Sequence, residues 1–524
     1  MEIETQTDVE KNLKLVASSS IIVFTGVLIS KIFSYLYIIF IGRNLGPEIY
    51  GRFSLSAIIV GWFVAIASLG FSEGIVRFIP FYRGKKQKNK INFLFQFSFS
   101  SLLFSTLITA SLSFLFSDFI SVVIFHDQQL SIYLKIFSIF IPIWALSLFL
   151  FAVMRSFEKI NQLSIIERII QNPLKFLILI LLVYFGLKSS ALIFSFLLGI
   201  FISFLISFFY IKKKIPSVFE NYSLSNKIKK SLLKNFISYS WPVLFFGVVY
   251  STFYWTDSFF LGFFYSAKEV GIYNVIVPIA FLLSFVPEIF LQLFFPLVTR
   301  EYSKNKLELI KDVSKQVSKW IFLLNLPIFF IFFLFPGAII NILFGSEYLV
   351  AEFSLRFLLI SGFISSIFSV SNNLLSMAGK SKTILFDLVL ASVTNILLNY
   401  FFIPAQTFFG IDNSLGINGA AFATMSSVLL FNILIFIHAK SATSIIPVRR
   451  KMFTIFLSSL IPLGFLLFIK NYFDPNFALM ILLTITFFLI YAICLFIFKA
   501  FDKNDWMIFN VFKNKLFQRK INLK

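Results

Sequence analysis

Apolar residues form long runs along the chain, and polar, mostly basic segments separate these runs. Fourteen of the runs have the length of about 20 residues that a helix needs to cross the hydrocarbon core of a bilayer. The pattern therefore predicts fourteen membrane-spanning helices. Their predicted positions are 17–42, 52–77, 92–117, 130–154, 163–186, 189–211, 235–260, 271–297, 316–342, 353–377, 383–404, 416–439, 452–470 and 477–498.

Lys and Arg residues collect at every second junction between the predicted spans. With these boundaries, 37 of the 46 Lys and Arg residues fall on one side of the membrane and 5 on the other. Because basic residues stay on the cytoplasmic side, both termini are predicted to lie in the cytoplasm, with the chain in the plasma or inner membrane. The net charge of +22 is then a signal of topology, and nucleic acid is not an expected partner.

The composition is typical of a membrane transporter and leaves little room for enzymatic machinery. Hydrophobic residues make up 58% of the chain, and the segments between the predicted spans are too short to bury a soluble core. The two histidines, His126 and His438, are predicted on opposite sides of the membrane, and the chain contains no Walker-type phosphate loop. We therefore expect neither an enzyme, nor a metal centre, nor a bound cofactor.

A short internal repeat in the sequence predicts that the chain has two related halves. At an offset of 220 residues, Gly42 corresponds to Gly262 and Gly51 to Gly271, each pair between the first and second helix of its half. Six helices per half is an even number, so the halves are predicted to share orientation about a pseudo-two-fold axis along the membrane normal. The predicted domains are a bundle at 1–211, a basic linker at 212–234, a second bundle at 235–450, and two appended helices with a basic tail at 451–524.

The segment around the first of these glycines resembles a known family. It reads GRNLGPEIYGRF from Gly42 to Phe53, where Gly46 and Pro47 predict a tight turn, and it resembles the opening of polysaccharide-biosynthesis flippases related to O-antigen flippases. Later stretches that resemble the same family are Ser68–Phe71, Arg77, Asp257, Leu261-Gly262, Val270–Tyr273, Gly379-Lys380, Asn395, Asn399, Pro404 and Gly416–Ala421.

The resemblance implies a fold, a substrate and partners. The fold would be two six-helix bundles around a central cavity that opens alternately to each side. The function would be the transfer of a polyprenyl-pyrophosphate-linked oligosaccharide from the cytoplasmic to the outer leaflet. The expected partners are this lipid-linked oligosaccharide, membrane lipids and other glycan-assembly proteins of the membrane.

Ionisable groups inside the predicted spans are the candidate functional residues, because a charge at the bilayer centre costs about 2.5 kcal/mol or more. On the fifth span, Arg168 and Lys175 share one face, and Lys31 lies near the middle of the first span. Lys31 is expected to contact the pyrophosphate, whereas Arg168 and Lys175 can instead extend to the inner interface. The predicted substrate-binding residues are Lys31, Glu73, Arg77, Arg168, Lys175, Trp255 and Glu288, with Glu73 and Arg77 one turn apart and able to pair.

Oxygen-bearing side chains of the second half form a candidate site for a coupling Na+ or H+. Asp387, Asn395 and Asn399 are spaced to share one helix face. The candidate ligands are Asp257, Asp387, Asn395, Asn399 and Thr424, and the resemblance implies a cation site among these helices. Alternatively, Asp257 closes the outer end of its helix by a hydrogen bond, and Lys382 caps Asp387.

Two other functions remain open from the sequence. A multidrug–cation antiporter of the same superfamily usually has twelve helices and an acidic, aromatic cavity, and the cations of the first and fifth spans argue against it. A multispan glycan polymerase or ligase would need a long outer loop with basic residues. The predicted outer connections are short and almost uncharged.

Overall fold

The computed structural model is nearly all helical and describes residues 25–302, 304–470, 477–502 and 505. Both chain termini and the predicted start of the first span, 17–24, lie outside these residues. The helices are α1 (Thr25–Asn44), α2 (Pro47–Ala67), α3 (Phe71–Gly84), α4 (Lys88–Leu115), α5 (Gln128–Ile139), α6 (Ile141–Ser156), α7 (Ile160–Ser164), α8 (Gln171–Tyr184), α9 (Ser189–Lys214), α10 (Asn226–Phe264), α11 (Ala267–Phe281), α12 (Phe285–Tyr302), α13 (Leu307–Leu334), α14 (Pro336–Leu343), α15 (Glu352–Met377), α16 (Ser381–Phe402), α17 (Ile417–Thr443), α18 (Arg450–Lys470) and α19 (Phe477–Ile497).

Thirteen of the predicted spans correspond to helices that suit a membrane. Twelve helical stretches of the described chain are long and apolar enough to cross one, and the pair α5 and α6, bent by 46°, gives a thirteenth candidate. The remaining predicted span, 163–186, is also helical. It consists of α7, a π-helical turn at Ile165–Ile170 and α8, and it carries the charged residues Glu167, Arg168 and Lys175.

The second predicted span, 52–77, has the wrong boundaries. The helix α2 begins earlier, at Pro47, directly after Gly46, whose φ of 79° confirms the predicted turn. It ends at Ala67, where Leu69 and Gly70 both adopt positive φ and break the helix. The apolar pattern continues across this break because Ile75 and Ile79 of α3 are also buried, so hydropathy alone did not reveal it.

The described chain divides into two compact units. The first comprises Met1–Val275 and Ser392–Ala420, and the second comprises Ile276–Ala391 and Ala421–Lys524. In the first unit, α2 packs against α4, α5, α6 and α10. In the second, α13 packs against α12, α15, α18 and α19. The predicted domain boundaries at 212, 235 and 451 stay predictions.

Within the first unit, Gly51 and Gly271 mark the closest approach of α2 to α11. A methyl group on Gly51 would lie 1.5 Å from the carbonyl oxygen of Ala267, and one on Gly271 would lie 1.8 Å from that of Pro47. The two contacts are reciprocal, since Pro47 and Ala267 are also 220 residues apart. The internal repeat in the sequence therefore has a physical reason: each glycine lets the start of the other helix approach its backbone. We call this contact the glycine crossing.

Within the second unit, the chain after α19 binds a buried lysine of α13. Lys319 is fully buried and forms ion pairs with Asp502, at 2.9 Å, and with Asp505. Asp505 also accepts a hydrogen bond from the indole of Trp320 at 2.8 Å, and Arg449 lies 3.0 Å from Asp502. We call this network the Lys319 clasp. The sequence analysis did not identify it.

The connection between α16 and α17 contains a small hairpin that the sequence analysis also missed. Strands β1 (Thr407–Phe408) and β2 (Ile411–Asp412) pair antiparallel. Phe409 and Gly410 have φ of 49° and 76°, as the two central residues of a type I′ turn require. The amide of Asn413 then donates to the carbonyls of Phe402 and Ala405, both at 2.7 Å. This part of the family-like sequence is therefore architectural.

Candidate functional site

A buried carboxylate, Asp257 on α10, collects three hydrogen bonds inside the first unit. The hydroxyl of Tyr273 donates to its Oδ2 at 2.6 Å. The amides of Asn399 and Asn395 donate to its Oδ1 at 2.8 Å and 3.3 Å. Asp257 is 4% exposed, and the other three residues are buried still more completely. We call these four residues the Asp257 cluster.

The chain positions these four side chains from three helices. Tyr273 follows Asp257 by 16 residues, across the short connection from α10 to α11, and so faces it from the next helix. Asn395 and Asn399 are one turn apart on α16, where the amide of Asn399 also donates to the Asn395 carbonyl oxygen at 3.1 Å. Tyr273 was missing from the predicted ligands, although its motif was noted.

The Asp257 cluster has the chemistry of a site for a hard cation. Neutral donors stabilise the carboxylate charge without cancelling it. The side-chain oxygen of Asn399 is buried and has no hydrogen-bond partner, so an oxygen ligand is available beside the charge. Na+ and other hard cations prefer such oxygen ligands. Among the described residues, no group of three or more His, Cys, Asp or Glu side chains forms a metal site.

Asp387, another predicted ligand of the coupling cation, lies on α16 eight residues before Asn395 and belongs to the second unit. Its partner is His438 of α17, whose Nδ1 lies 2.9 Å from Oδ2 of Asp387, and not the predicted cap Lys382. Its contribution to the coupling site stays a prediction. Thr424 lies on α17 in the second unit, and its contribution stays a prediction.

The predicted cationic face of the fifth span packs against α1 within the first unit. The amide of Asn172 donates to the hydroxyl of Ser30 at 2.6 Å, and the rings of Phe176 and Phe33 are 5.9 Å apart. Lys31 follows Ser30 directly and is half-buried. The structure therefore places the helix that carries Lys31 beside the helix that carries Arg168 and Lys175.

Arg168 lies in the π-helical turn at Ile165–Ile170, and π-turns occur often at functional sites. One of its guanidinium nitrogens, Nη1, is buried without a hydrogen-bond partner. The hydroxyl of Ser164, one turn earlier, is in the same situation. Gly26 of α1 lies against both residues, because a methyl group there would be 2.6 Å from the Ser164 hydroxyl and 3.6 Å from Cβ of Arg168. Two donors are thus left unsatisfied beside α1.

Lys175 points its ammonium group at an aromatic ring. Its Nζ lies 4.2 Å from the centre of Phe196, and its aliphatic stem covers Gly199. Trp144 and Phe53 pack around the same ring, at centroid distances of 5.6 Å and 5.4 Å. A cation–π contact of this kind stabilises the charge away from water. The ring of Phe196 is thus a partner of the Lys175 ammonium group within the first unit.

The remaining predicted residues lie on other helices. Glu73 and Arg77 sit on α3, beyond the break in the predicted span, and do not pair with each other. Glu73 lies 3.5 Å from Arg155, and Arg77 stacks at 4.2 Å over the ring of Tyr239. The side chain of Trp255 is 41% exposed on α10. Glu288 lies on α12 in the second unit, and its role in substrate binding stays a prediction.

Comparison with known protein families and proteins gives concordant matches. The family model described as polysaccharide biosynthesis protein matches residues 16–301, and the model described as MatE matches residues 242–401. A Shigella flexneri protein named as an O-antigen transporter is 24% identical over 351 residues, covering 66% of this chain and 80% of that protein. A Haloferax volcanii protein named as a low-salt glycan biosynthesis flippase is 28% identical over 269 residues, covering 51% of this chain and 52% of that protein.

Solved structures show the same fold. The lipid II flippase MurJ in an inward closed conformation matches with a TM-score of 0.71 and 17% identity, covering 90% of this chain and 98% of that chain. An inward-facing multidrug resistance transporter of the MATE family matches with a TM-score of 0.65 and 14% identity, covering 81% and 98%. These matches confirm the predicted fold class, an all-α multispan membrane protein built from two helical bundles.

Proposed function

Because this chain belongs to the polysaccharide biosynthesis protein family, we propose that it moves a polyprenyl-pyrophosphate-linked oligosaccharide across a membrane by alternating access. The names of the relatives support this proposal: one is called an O-antigen transporter, another a glycan biosynthesis flippase, and a third, similar in fold, a lipid II flippase. All of these names describe transport of a lipid-linked or polysaccharide precursor.

The observation that carries the proposal is the packing of α1, which carries Lys31, against the segment that carries Arg168 and Lys175. The Ser30–Asn172 hydrogen bond joins α1 to α8, and Arg168 lies in the π-helical turn directly before α8. Cations at membrane depth are unfavourable unless an anion or an aromatic ring compensates them. The ring of Phe196 compensates Lys175, while Arg168 keeps an unsatisfied buried nitrogen. A pyrophosphate supplies acceptor oxygens that match such donors.

The Asp257 cluster is the proposed site for a coupling cation, Na+ or H+. Its carboxylate and the free oxygen of Asn399 supply the ligands, and Thr424 is proposed as a further contributor. Binding of a cation to this cluster would bias the transporter toward one of its conformations, because a ligand shifts a conformational equilibrium by its differential affinity. No other cofactor is part of the proposal.

The proposed direction is from the cytoplasmic to the outer leaflet of the plasma or inner membrane. The bias of Lys and Arg toward one side supports this orientation, with both termini in the cytoplasm. Other membrane proteins of glycan assembly are proposed partners, because they would make the substrate inside and consume the product outside.

The proposal can be tested in the native host by deleting the gene and measuring lipid-linked oligosaccharide on each face of the membrane. We expect the oligosaccharide to accumulate on the cytoplasmic face and surface glycan to disappear. The native chain should restore export. Lys31→Ala should restore it at least about tenfold less well, because a hydrogen bond to a charged group contributes about 1.5–3 kcal/mol.

A matched control is Lys135→Ala. Lys135 is also half-buried, but it pairs with Asp118 at 2.8 Å in a connection between helices, so we expect full rescue. Equal rescue by both variants would remove Lys31 from the substrate site. Unchanged glycan together with new sensitivity to cationic drugs would contradict the flippase and support the multidrug–cation antiporter, which the match to the MatE model also allows.

A further inference from the structure

Asp387 and His438 form a buried pair in the second unit that the proposed substrate and cation sites do not use. Oδ2 of Asp387 lies 2.9 Å from Nδ1 of His438, and its side chain is fully buried, whereas 34% of the His438 side chain is exposed. The second carboxyl oxygen, Oδ1, is buried without a hydrogen-bond partner. The carboxyl group therefore exchanges protons with the surroundings through the imidazole ring.

The environment of this pair contains no fixed countercharge. Apolar side chains of α15, α16 and α17 pack together beside it. The charged side chains at this end of the three helices are exposed, and they are Lys380, Lys382 and Lys440. In the described part of the chain, no Lys or Arg lies within ion-pair distance of Asp387, and its ionic partner is His438. Among the described residues, the ionic partner of this carboxylate is thus itself titratable.

The charge of the pair depends on one proton. With one proton shared between them, Asp387 and His438 have no net charge; without it, a negative charge remains among apolar helices, which is strongly unfavourable. The Asp257 cluster differs, because Tyr273 and the two asparagines stabilise its charge with neutral donors. The two buried carboxylates therefore suit different ligands, a proton at Asp387 and a metal cation at Asp257.

We propose that Asp387 and His438 are a proton-binding site that couples transport to a pH difference across the membrane. This inference rests on the proposed transport function and adds a second coupling site to it. The exposed edge of His438 is the route by which the proton is exchanged with the side that Lys380, Lys382 and Lys440 mark as cytoplasmic. In the other half of the alternating-access cycle, the pair exchanges the proton with the outer side. One proton is bound on one side and the same proton is released on the other, so no further reactant is needed.

A first test observes the proton without any substrate. The chain has two histidines, so the full-length protein labelled with 15N-histidine and placed in lipid nanodiscs gives two sets of ring-nitrogen signals. His126→Gln assigns them. We expect Asp387→Asn to shift the Nδ1 signal of His438, because the variant removes the carboxylate that lies 2.9 Å from this nitrogen, and we expect Asp257→Asn to leave the signal in place. The same Nδ1 signal in native protein and in Asp387→Asn would overturn the proposal.

A second test measures coupling in right-side-out membrane vesicles from the native host, which contain the host's own lipid-linked oligosaccharide. For one coupled proton, a gradient of one pH unit should raise the rate at which the oligosaccharide appears on the outer face by up to about tenfold. Asp387→Asn and His438→Gln should bring the ratio of rates with and without the gradient to one. His126→Gln, at an exposed position, should keep the native ratio.

The outcomes separate the inference from the proposed function. Vesicles that expose the oligosaccharide equally well with and without a pH gradient would overturn the inference and leave the flippase in place. Vesicles that expose none under any gradient would contradict the flippase itself. In that case the ring-nitrogen signals of His438 still decide whether Asp387 and His438 share a proton, but the coupling part of the proposal falls with the flippase.

Discussion

The Lys319 clasp predicts a large loss of stability when its two carboxylates are neutralised together. In the variant Asp502→Asn/Asp505→Asn, Lys319 keeps its charge but loses both ion pairs, while its side chain remains fully buried. An uncompensated buried charge costs about 3–5 kcal/mol. Because the entropy of unfolding grows with chain length, each kcal/mol should lower the melting temperature of this chain by about 1–2 °C. We therefore expect a decrease of about 3–10 °C.

The single cysteine of the chain provides the assay. Cys494 is buried on α19, shortly before the clasp, so a thiol-reactive fluorogenic maleimide reports when this region opens on heating. Adding Lys319→Met to the double variant should restore most of the loss, because replacing a buried ion pair by neutral groups of similar volume is often tolerated. Glu308→Gln is a matched control on α13, since Glu308 is 84% exposed in its pair with Lys311.

Two results would refute this reasoning. A double variant that opens at the native temperature would mean that Lys319 is stabilised without its carboxylates. A triple variant that opens no later than the double variant would mean that the loss came from the shape of the segment after α19 and not from the buried charge.

Three further predictions follow from the same structure. Burial raises the pKa of Asp505, but hydrogen bonds from Lys319 and Trp320 outweigh it and hold the pKa below its usual value. The melting temperature of the native protein relative to the triple variant, followed by intrinsic fluorescence, should therefore be constant from pH 8 to 5 and fall below about pH 4. Gly51→Ala should lower stability by about 1–3 kcal/mol when unfolding is followed by intrinsic fluorescence. Gly61→Ala on the same helix should not, because an added methyl group there meets no neighbouring side chain or helix within 4 Å; equal behaviour would contradict the glycine crossing. NaCl, compared with choline chloride, should raise the melting temperature of native protein and of Asp387→Asn but not of Asp257→Asn, and a shift in all three would place sodium elsewhere.

Much of the candidate site was predictable from the sequence, but its partners were not. Asp257, Asn395 and Asn399 were recognised because polar groups in apolar helices are few and stand out. Tyr273 was missed because one tyrosine among many aromatic residues gives no local signal. The partner of Asp387, His438, was not predicted, because helix periodicity fixes the direction of a side chain but not the neighbouring helix that it meets.

The membrane spans and the Lys319 clasp also show that a sequence pattern predicts local structure but not the contacts between distant residues. The prediction of the helices succeeded because lipid cannot satisfy backbone hydrogen bonds, so that an apolar run of sufficient length has to be helical. The break at Leu69 and Gly70 escaped notice because both sides of it are apolar. Lys319 and Asp505 are 186 residues apart, and no local pattern connects residues so far apart along the chain.

The sequence by itself determined that this chain is a many-helix membrane protein with a repeated glycine, and it indicated the family, because hydropathy and short motifs are local properties of the chain. Only the tertiary structure decided which polar groups meet. It placed Tyr273 on Asp257, His438 on Asp387, and the two repeated glycines against each other. The physical reason is that a buried polar group is defined by its hydrogen-bond partners, and those partners come from helices that only folding brings together.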